Sequence, residues 1–212
     1  MEAFGTRLQR GDTIITFNYD LILEQELFAR GRWFPHDGYG VLIPSDNSRC
    51  SGSTSVSVLT ILKLHGSLNW DMSSFDDFLH SERLEWWYDD GTPLFPGYLN
   101  DETPPWHTPY EGPHDRYGML PSFVKTFEYP LLLQVWKRAQ AALTSAEKVV
   151  VIGYSLPSAD SAATLLIGTA GLDMKELTIV DPSAEEVAAR FREVTGNRNP
   201  EVMLSLQEYI GR

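Results

Sequence analysis

Lys148-Val149-Val150-Val151-Ile152-Gly153-Tyr154-Ser155 is the stretch that decides the fold. Its β-branched residues follow one another without polar alternation, which predicts a strand buried on both faces, as in a parallel sheet covered by helices. Gly153 and Ser155 supply turn chemistry at its carboxyl end. Before it, Phe123 to Ala146 carries Leu132, Val135, Trp136, Ala139 and Leu143 at helical spacing, with Pro130 interrupting or opening the helix. After it, Ser158 is placed to cap a helix through Ala162, Ala163, Leu165, Leu166 and Ile167. Glu176 to Asp181 (ELTIVD) reads as the next strand. Ser183 and Glu186 then form an S-x-x-E capping box for a helix burying Val187, Phe191 and Val194. Val202 to Leu206 (VMLSL) reads as a last strand.

The amino-terminal half follows the same grammar. Thr13 to Phe17 (TIITF) is a strand after the turn Arg10-Gly11-Asp12, and Leu21, Ile22, Leu27 and Phe28 mark a helix that stops at Gly31. Arg32 to about Ser57, including SDNSRCSGSTS, shows no core-facing pattern and reads as a mobile loop. Val58 to His65 (VLTILKLH) is a second buried strand, ending at Gly66 and Ser67. From Asn69 to about Leu120 the composition shifts to Trp70, Trp86, Trp87 and Trp106 among acidic residues, Pro and Gly. This reads as an insertion with one or two short helices, one at Ser74 to Arg83. The layout predicts an α/β fold: a Rossmann-like parallel sheet of about five strands, helices on both faces, and a Trp-rich insertion. Residues 1–212 read as a single domain with the irregular insertion at about 69–120. Ligands of such sheets bind beyond the carboxyl ends of the strands, which is where Asn18 and Asp20, His65 to Ser67, Gly153 to Ser155 and Asp181 to Ser183 fall.

With 212 residues, 42% hydrophobic and 22% charged, the chain suits one globular domain with a sizeable core. The formal charge of −12 argues against a non-specific grip on DNA or RNA, which needs Lys and Arg on phosphates. No direct nucleic-acid binding is expected. A dinucleotide is not disfavoured, since helix N-termini hold pyrophosphate through backbone N–H groups. Cys50 is the only cysteine, which excludes an intramolecular disulfide and any zinc site of two or more thiolates. His80, His107 and His114 match no compact ligand spacing, so no metal site is expected. No run reaches the roughly 18 to 20 apolar residues of a membrane helix. The start, MEAFGTRLQRGD, lacks the apolar core of a signal peptide. These features predict a soluble, unprocessed, cytoplasmic protein with no membrane partner.

Thr16-Phe17-Asn18-Tyr19-Asp20 resembles the T-Q-N-I-D segment of sirtuins, with Phe17 where the family has glutamine. Lys63-Leu64-His65-Gly66-Ser67 is similar to the segment that holds the family's catalytic histidine, and Leu68-Asn69-Trp70 continues it as in the bacterial branch. Gly153-Tyr154-Ser155-Leu156 resembles the G-T-S-L segment that lines the nucleotide ribose. Val180-Asp181-Pro182 stands where a late strand end contacts adenosine. Their order and spacing, across roughly residues 13–185, make the chain resemble the sirtuin superfamily, in particular the bacterial sirtuin-like proteins that hydrolyse NAD in antiviral defence.

The resemblance implies NAD, as substrate or ligand, and an NAD glycohydrolase (NADase) activity releasing nicotinamide and ADP-ribose. It implies His65 as the catalytic base, through a ribose hydroxyl or an attacking water, and Asn18 as the residue that orients the attack. Both types suit these roles: imidazole titrates near neutral pH, and a neutral amide both donates and accepts. Nucleotide contacts are implied for Asp20, Gly66, Ser67, Gly153, Ser155 and Asp181. Local structural roles stand beside them. Asp20 serves equally well to cap the helix near Leu21, Gly153 and Ser155 suit a turn and cap, and Asp181 suits a turn. Asp160 reads as a first-turn helix residue. The implied partners are NAD or an ADP-ribose-type nucleotide and a homo-oligomer or larger defence complex. The tryptophans suit core or interface surface, with a lid over the nicotinamide pocket and an oligomer contact as equal alternatives.

Two departures qualify the likeness. Sirtuin deacylases carry a four-cysteine zinc module after the histidine, where this chain has its Trp-rich insertion, so no zinc is expected and protein deacylation is the weakest reading. The Gly-rich G-A-G-x-S loop that cradles pyrophosphate has no counterpart before Thr13. Either the chain is part of a longer protein that carries the loop upstream, or nucleotide is held without it. A catalytically inactive NAD or ADP-ribose sensor, or an interaction module, is therefore the alternative to the enzyme.

Overall fold

A computed structural model describes residues 2–40, 56–71, 85–86, 88–89, 92–93, 116–118 and 130–212. The chain divides into two compact units, Met1–Leu120 with Phe127–Val135, and Pro121–Thr126 with Trp136–Arg212. It is a mixed α/β protein with its parallel strands in small sheets.

In the first unit, helix α1 (Glu2–Gly5) precedes strand β1 (Thr13–Thr16), helices α2 (Ile22–Ala29) and α3 (Pro35–Gly38), and strand β2 (Thr60–Lys63). The β-branched runs TIIT and TILK pair in parallel, from Thr13 opposite Thr60 to Thr16 opposite Lys63. β2 is shorter than the sequence suggests, because the chain turns at Leu64 and His65. Gly66 and Ser67, expected just beyond a strand, instead open β3 (Gly66–Asp71). Gly66 makes the reversal at φ +85, a conformation costly for any residue with a Cβ.

β3 pairs antiparallel with β4 (Glu85–Trp86) and β7 (Arg116–Gly118), while β5 (Tyr88–Asp89) pairs with β6 (Thr92–Pro93). The described pieces of the Trp-rich insertion are thus short antiparallel strands. The helix expected at Ser74 to Arg83 lies outside the described residues, as do Cys50, Trp87, Trp106, His80, His107 and His114.

The segment after Arg32 departs from the expected mobile loop. Trp33 and Tyr39 are fully buried and meet edge to face, centroids 4.7 Å apart. Phe34 N–H donates to Ser57 Oγ at 2.7 Å, and Ser57 N–H donates to Asp37 Oδ2 at 3.0 Å. Two aromatic anchors and a Ser–Asp clasp order this stretch without any periodic pattern. Residues 41–55 lie outside the described set.

The second unit is built on β8 (Lys148–Ile152), β9 (Glu176–Val180) and β10 (Glu201–Met203), parallel in the order β10-β9-β8. Helix α4 (Pro130–Ser145), which belongs to this unit from Trp136 onward, leads into β8, α5 (Ser161–Gly168) and a 3-10 turn (Leu172–Met174) link β8 to β9, and α6 (Ala184–Thr195) links β9 to β10. Helix α7 (Leu206–Gly211) follows. No sheet among the described residues exceeds three strands, against the expected single sheet of about five. Leu177, Thr178, Ile179 and Val180 of the central β9 are buried. β8 was expected to be buried on both faces. Instead Val149, Val150 and Val151 are half-buried, because among the described residues β8 pairs with β9 alone and forms an edge.

The helix starts differ from the expected caps. Asp160, not Ser158, caps α5, its Oδ1 accepting from Ala163 N–H at 3.0 Å. Ser183 occupies the N-cap of α6 but its side chain makes no capping bond. Glu186 reaches Arg190 at 2.6 Å instead, and Asp181 Oδ1 accepts from Ser183 N–H at 2.8 Å. A carboxylate thus caps α5, while at α6 the carboxylate of Asp181 holds the N-cap residue's own N–H. α6 buries Ala184, Val187, Ala188, Phe191 and Thr195, with Val194 only half-buried. Among the described residues, no helix is long and apolar enough to cross a membrane.

Two polar side chains close the far end of this unit. Lys175 Nζ donates to the carbonyls of Thr144 at 2.7 Å and Ala146 at 2.6 Å, at the end of α4. Asn197, 4% exposed, donates from Nδ2 to the carbonyls of Leu172 at 2.7 Å and Lys175 at 2.9 Å. Asn197→Ala strands both carbonyls without that donor and is expected to lower the unfolding free energy by about 2–4 kcal/mol, measured by urea titration.

Candidate functional site

The last ladder pair of the first sheet, Thr16 opposite Lys63, sets the frame for the site. Asn18 and His65 each lie two residues beyond it, so the register brings both to the same carboxyl edge. Parallel pairing makes this correspondence direct, since both chains run the same way. The His65 ring packs against the two residues that flank Asn18: edge-on to Phe17 with centroids 5.1 Å apart, and tilted against Tyr19 at 6.0 Å. His65 is 4% exposed, whereas Asn18 faces solvent. The Asn18 N–H donates to Thr16 Oγ1 at 3.1 Å, which tightens the turn out of β1.

Asp20 makes a local turn bond, its Oδ1 accepting from Ile22 N–H at 3.1 Å, while the N-cap position of α2 is Leu21, without a side-chain cap bond. Gly66 pairs with Gly118 across β3 and β7, and Ser67 is buried.

Beneath the turn lies an arrangement that the sequence motifs do not announce. Lys63 Nζ lies 2.7 Å from Glu24 Oε1, with side-chain exposures of 0% and 1%. The same ammonium donates to the carbonyl of Tyr19 at 3.2 Å and to the carbonyl of Asp20. An ammonium has three N–H donors, and these three acceptors match them. Glu24 Oε1 also accepts from Tyr39 Oη at 3.2 Å. Burial pushes the Glu24 carboxyl above its ordinary range, against the pull of Lys63. Burial likewise pushes the Lys63 ammonium below its ordinary range, against the pull of Glu24. The sequence held one clue: a lysine inside an apolar strand requires a buried partner.

The second unit carries a carboxyl edge of its own. Ile152 lies opposite Val180, so Gly153 and Asp181 stand level, each one residue past its strand. Gly153 takes φ +62 and its N–H donates to Val180 O at 3.0 Å. Asp181, through its bond to Ser183 N–H, fills the turn role weighed for it. The Ser155 carbonyl accepts from Arg190 Nη1 at 2.6 Å, tying the loop after β8 to α6. Leu156 is buried at φ +52, a left-handed conformation that costs a branched residue on the order of 1–3 kcal/mol.

Among the described residues, no group of three or more His, Cys, Asp or Glu is placed to hold a metal ion. No protein-family model matches the chain, and no curated protein matches it. The structure therefore brings Asn18 together with His65 in one unit, and Gly153 together with Asp181 in the other.

Removing one member of the buried pair leaves the other uncompensated. Lys63→Met is expected to lower stability by about 3–5 kcal/mol, measured by denaturant unfolding. Without Lys63, the native state binds a proton on Glu24 more tightly than the unfolded chain does. Stability of the variant then falls as pH rises from the ordinary glutamate range through the raised one. The deficit against wild type should accordingly be smaller at about pH 5 than at about pH 8.

Proposed function

We propose that this chain binds NAD and hydrolyses it to nicotinamide and ADP-ribose, with His65 as base and Asn18 orienting the attack. The observation that supports the reading is the level position of Asn18 and His65 at the carboxyl edge of adjacent parallel strands, with the imidazole packed on both neighbours of Asn18. That edge is where α/β sheets bind ligands. In the reaction, the bond from ribose C1′ to the nicotinamide nitrogen breaks and nicotinamide leaves with the electron pair. A water oxygen bonds to C1′ and gives up its proton to the base. The chain's contribution is orientation and proton acceptance. The same reading gives nucleotide contacts in the first unit to Asp20, Gly66 and Ser67, and treats each set of parallel strands as Rossmann-like. Bacterial antiviral defence is the setting that the resemblance suggests.

One observation favours a second reading, a nucleotide sensor without turnover. His65 is 4% exposed, and Phe17 and Tyr19 pack against its ring. A base in that position acts only if a ligand hydroxyl or water reaches it past those rings.

Incubation of the purified chain with NAD, followed by chromatography for nicotinamide and calorimetry with NAD and ADP-ribose, tests both readings. Release of nicotinamide that His65→Ala cuts by roughly 100-fold or more supports the enzyme. Full release by His65→Ala removes the base assignment. Binding without release selects the sensor, and neither binding nor release rejects both.

A further inference from the structure

We infer that Lys63 is a positioning residue: its buried ammonium fixes the turn that carries Asn18 and packs Phe17 and Tyr19 on His65. The inference rests on the proposed nucleotide site for its functional meaning, and on the geometry of the first unit for its structure.

The turn from Phe17 to Leu21 has no ladder of its own, because β1 ends at Thr16 and α2 begins at Ile22. Backbone carbonyls in such a segment are normally satisfied by water, and water allows many conformations. Here the consecutive carbonyls of Tyr19 and Asp20 converge on one ammonium. That ammonium is itself anchored by Glu24 on α2 at 2.7 Å, and Glu24 by Tyr39 at 3.2 Å. Lys63 is the last residue of β2 and His65 follows two positions later. The group that clamps the Asn18 turn and the imidazole packed against it therefore spring from one strand end.

Elementary electrostatics points the same way. Burying an ammonium costs several kcal/mol, and a nonpolar side chain would fill the space without that cost. What a nonpolar side chain would not do is hold two carbonyls in place. Placement matters at a reacting centre, where an error of about 1 Å can cost roughly 100-fold in rate.

The test separates the clamp from mere stability. Lys63→Met with Glu24→Leu removes the clamp and leaves no unpaired charge. Its thermal midpoint is expected to recover most of the loss seen in Lys63→Met alone. Hydrogen–deuterium exchange at residues 18–22 should nonetheless be at least about 10-fold faster than in wild type, with the amides of β9 unchanged. Nicotinamide release per folded molecule should show kcat reduced by roughly 10- to 100-fold with a smaller change in KM. If the wild type binds without turnover, the affinity for ADP-ribose should weaken in place of kcat. Lys63→Arg keeps the charge and should restore part of the exchange protection. It also serves as the readout if the double variant does not fold, since its bulkier guanidinium should still loosen residues 18–22 measurably.

Unchanged exchange at residues 18–22 overturns the inference. So does faster exchange with unchanged kcat and affinity. If wild type neither binds nor cleaves NAD, the proposed function fails by itself, and exchange together with the His65 imidazole resonances decides whether Lys63 sets the turn. Resonances that do not move in the double variant would then refute it.

Discussion

An ammonium and a carboxylate removed from water set the terms for the first unit. Each would destabilise the fold if left alone, so every donor of Lys63 has to find an acceptor and Glu24 has to keep its cation. Satisfying them fixes where α2, β2, the Tyr19–Asp20 turn and Tyr39 stand relative to one another. The rotation of α2 follows from this. Glu24 occupies an inward position beside Leu21 and Leu27, while Ile22 is 58% exposed. Tyr39 reaches the carboxylate because its ring rests on Trp33. A short stretch between two aromatics thereby becomes part of the core. The buried charges add directional constraints to a core that is otherwise apolar.

The second unit works by different means. Its sheet is held by a central strand of buried aliphatic residues and by α6, whose inward face is Val187, Ala188 and Phe191. Polar order appears at the loops. Asp160 and Asp181 hold helix starts, Arg190 holds the Ser155 carbonyl, and Asn197 holds two carbonyls at the opposite end. The left-handed Leu156 beside Pro157 persists because its side chain is buried, so local strain is offset by packing.

What could be read from the sequence follows from the range of the forces involved. The strands within TIITF, VLTILKLH, KVVVIGYS and ELTIVD announce themselves because β-branched runs are a local signal, whereas the strand expected at Val202 to Leu206 is shifted to Glu201–Met203 and Leu206 opens α7. Asn18 and His65 could be singled out because their neighbours form short recognisable strings. Their common distance past the Thr16–Lys63 pair could not, since it depends on register between strands far apart in the chain. No local pattern pairs Glu24 with Lys63, which are 39 residues apart. Only the company of Ile61, Leu62 and Leu64 hinted that Lys63 is buried. Ser158 and Ser183 were sound cap residues by type, but α5 starts at Ser161 with Asp160 as its cap, and the Ser183 side chain makes no capping bond. The half-exposure of β8 was equally hidden, because a valine run reads the same at a sheet's centre and at its edge.

That edge has a consequence for how the molecule behaves in concentrated solution. A β-branched strand with an open hydrogen-bonding side is a template for another strand, and natural edges are protected by bulges, prolines or inward charges. β8 has a lysine only at its first position, and Val149 to Ile152 carry no charge. Among the described residues nothing pairs with its second side, and the net charge of −12 adds long-range repulsion between copies. That repulsion fades toward the isoelectric point at about pH 4.8. It is also shortened by salt. Mildly acidic or high-salt buffers therefore weaken the repulsion that keeps copies of so acidic a chain apart.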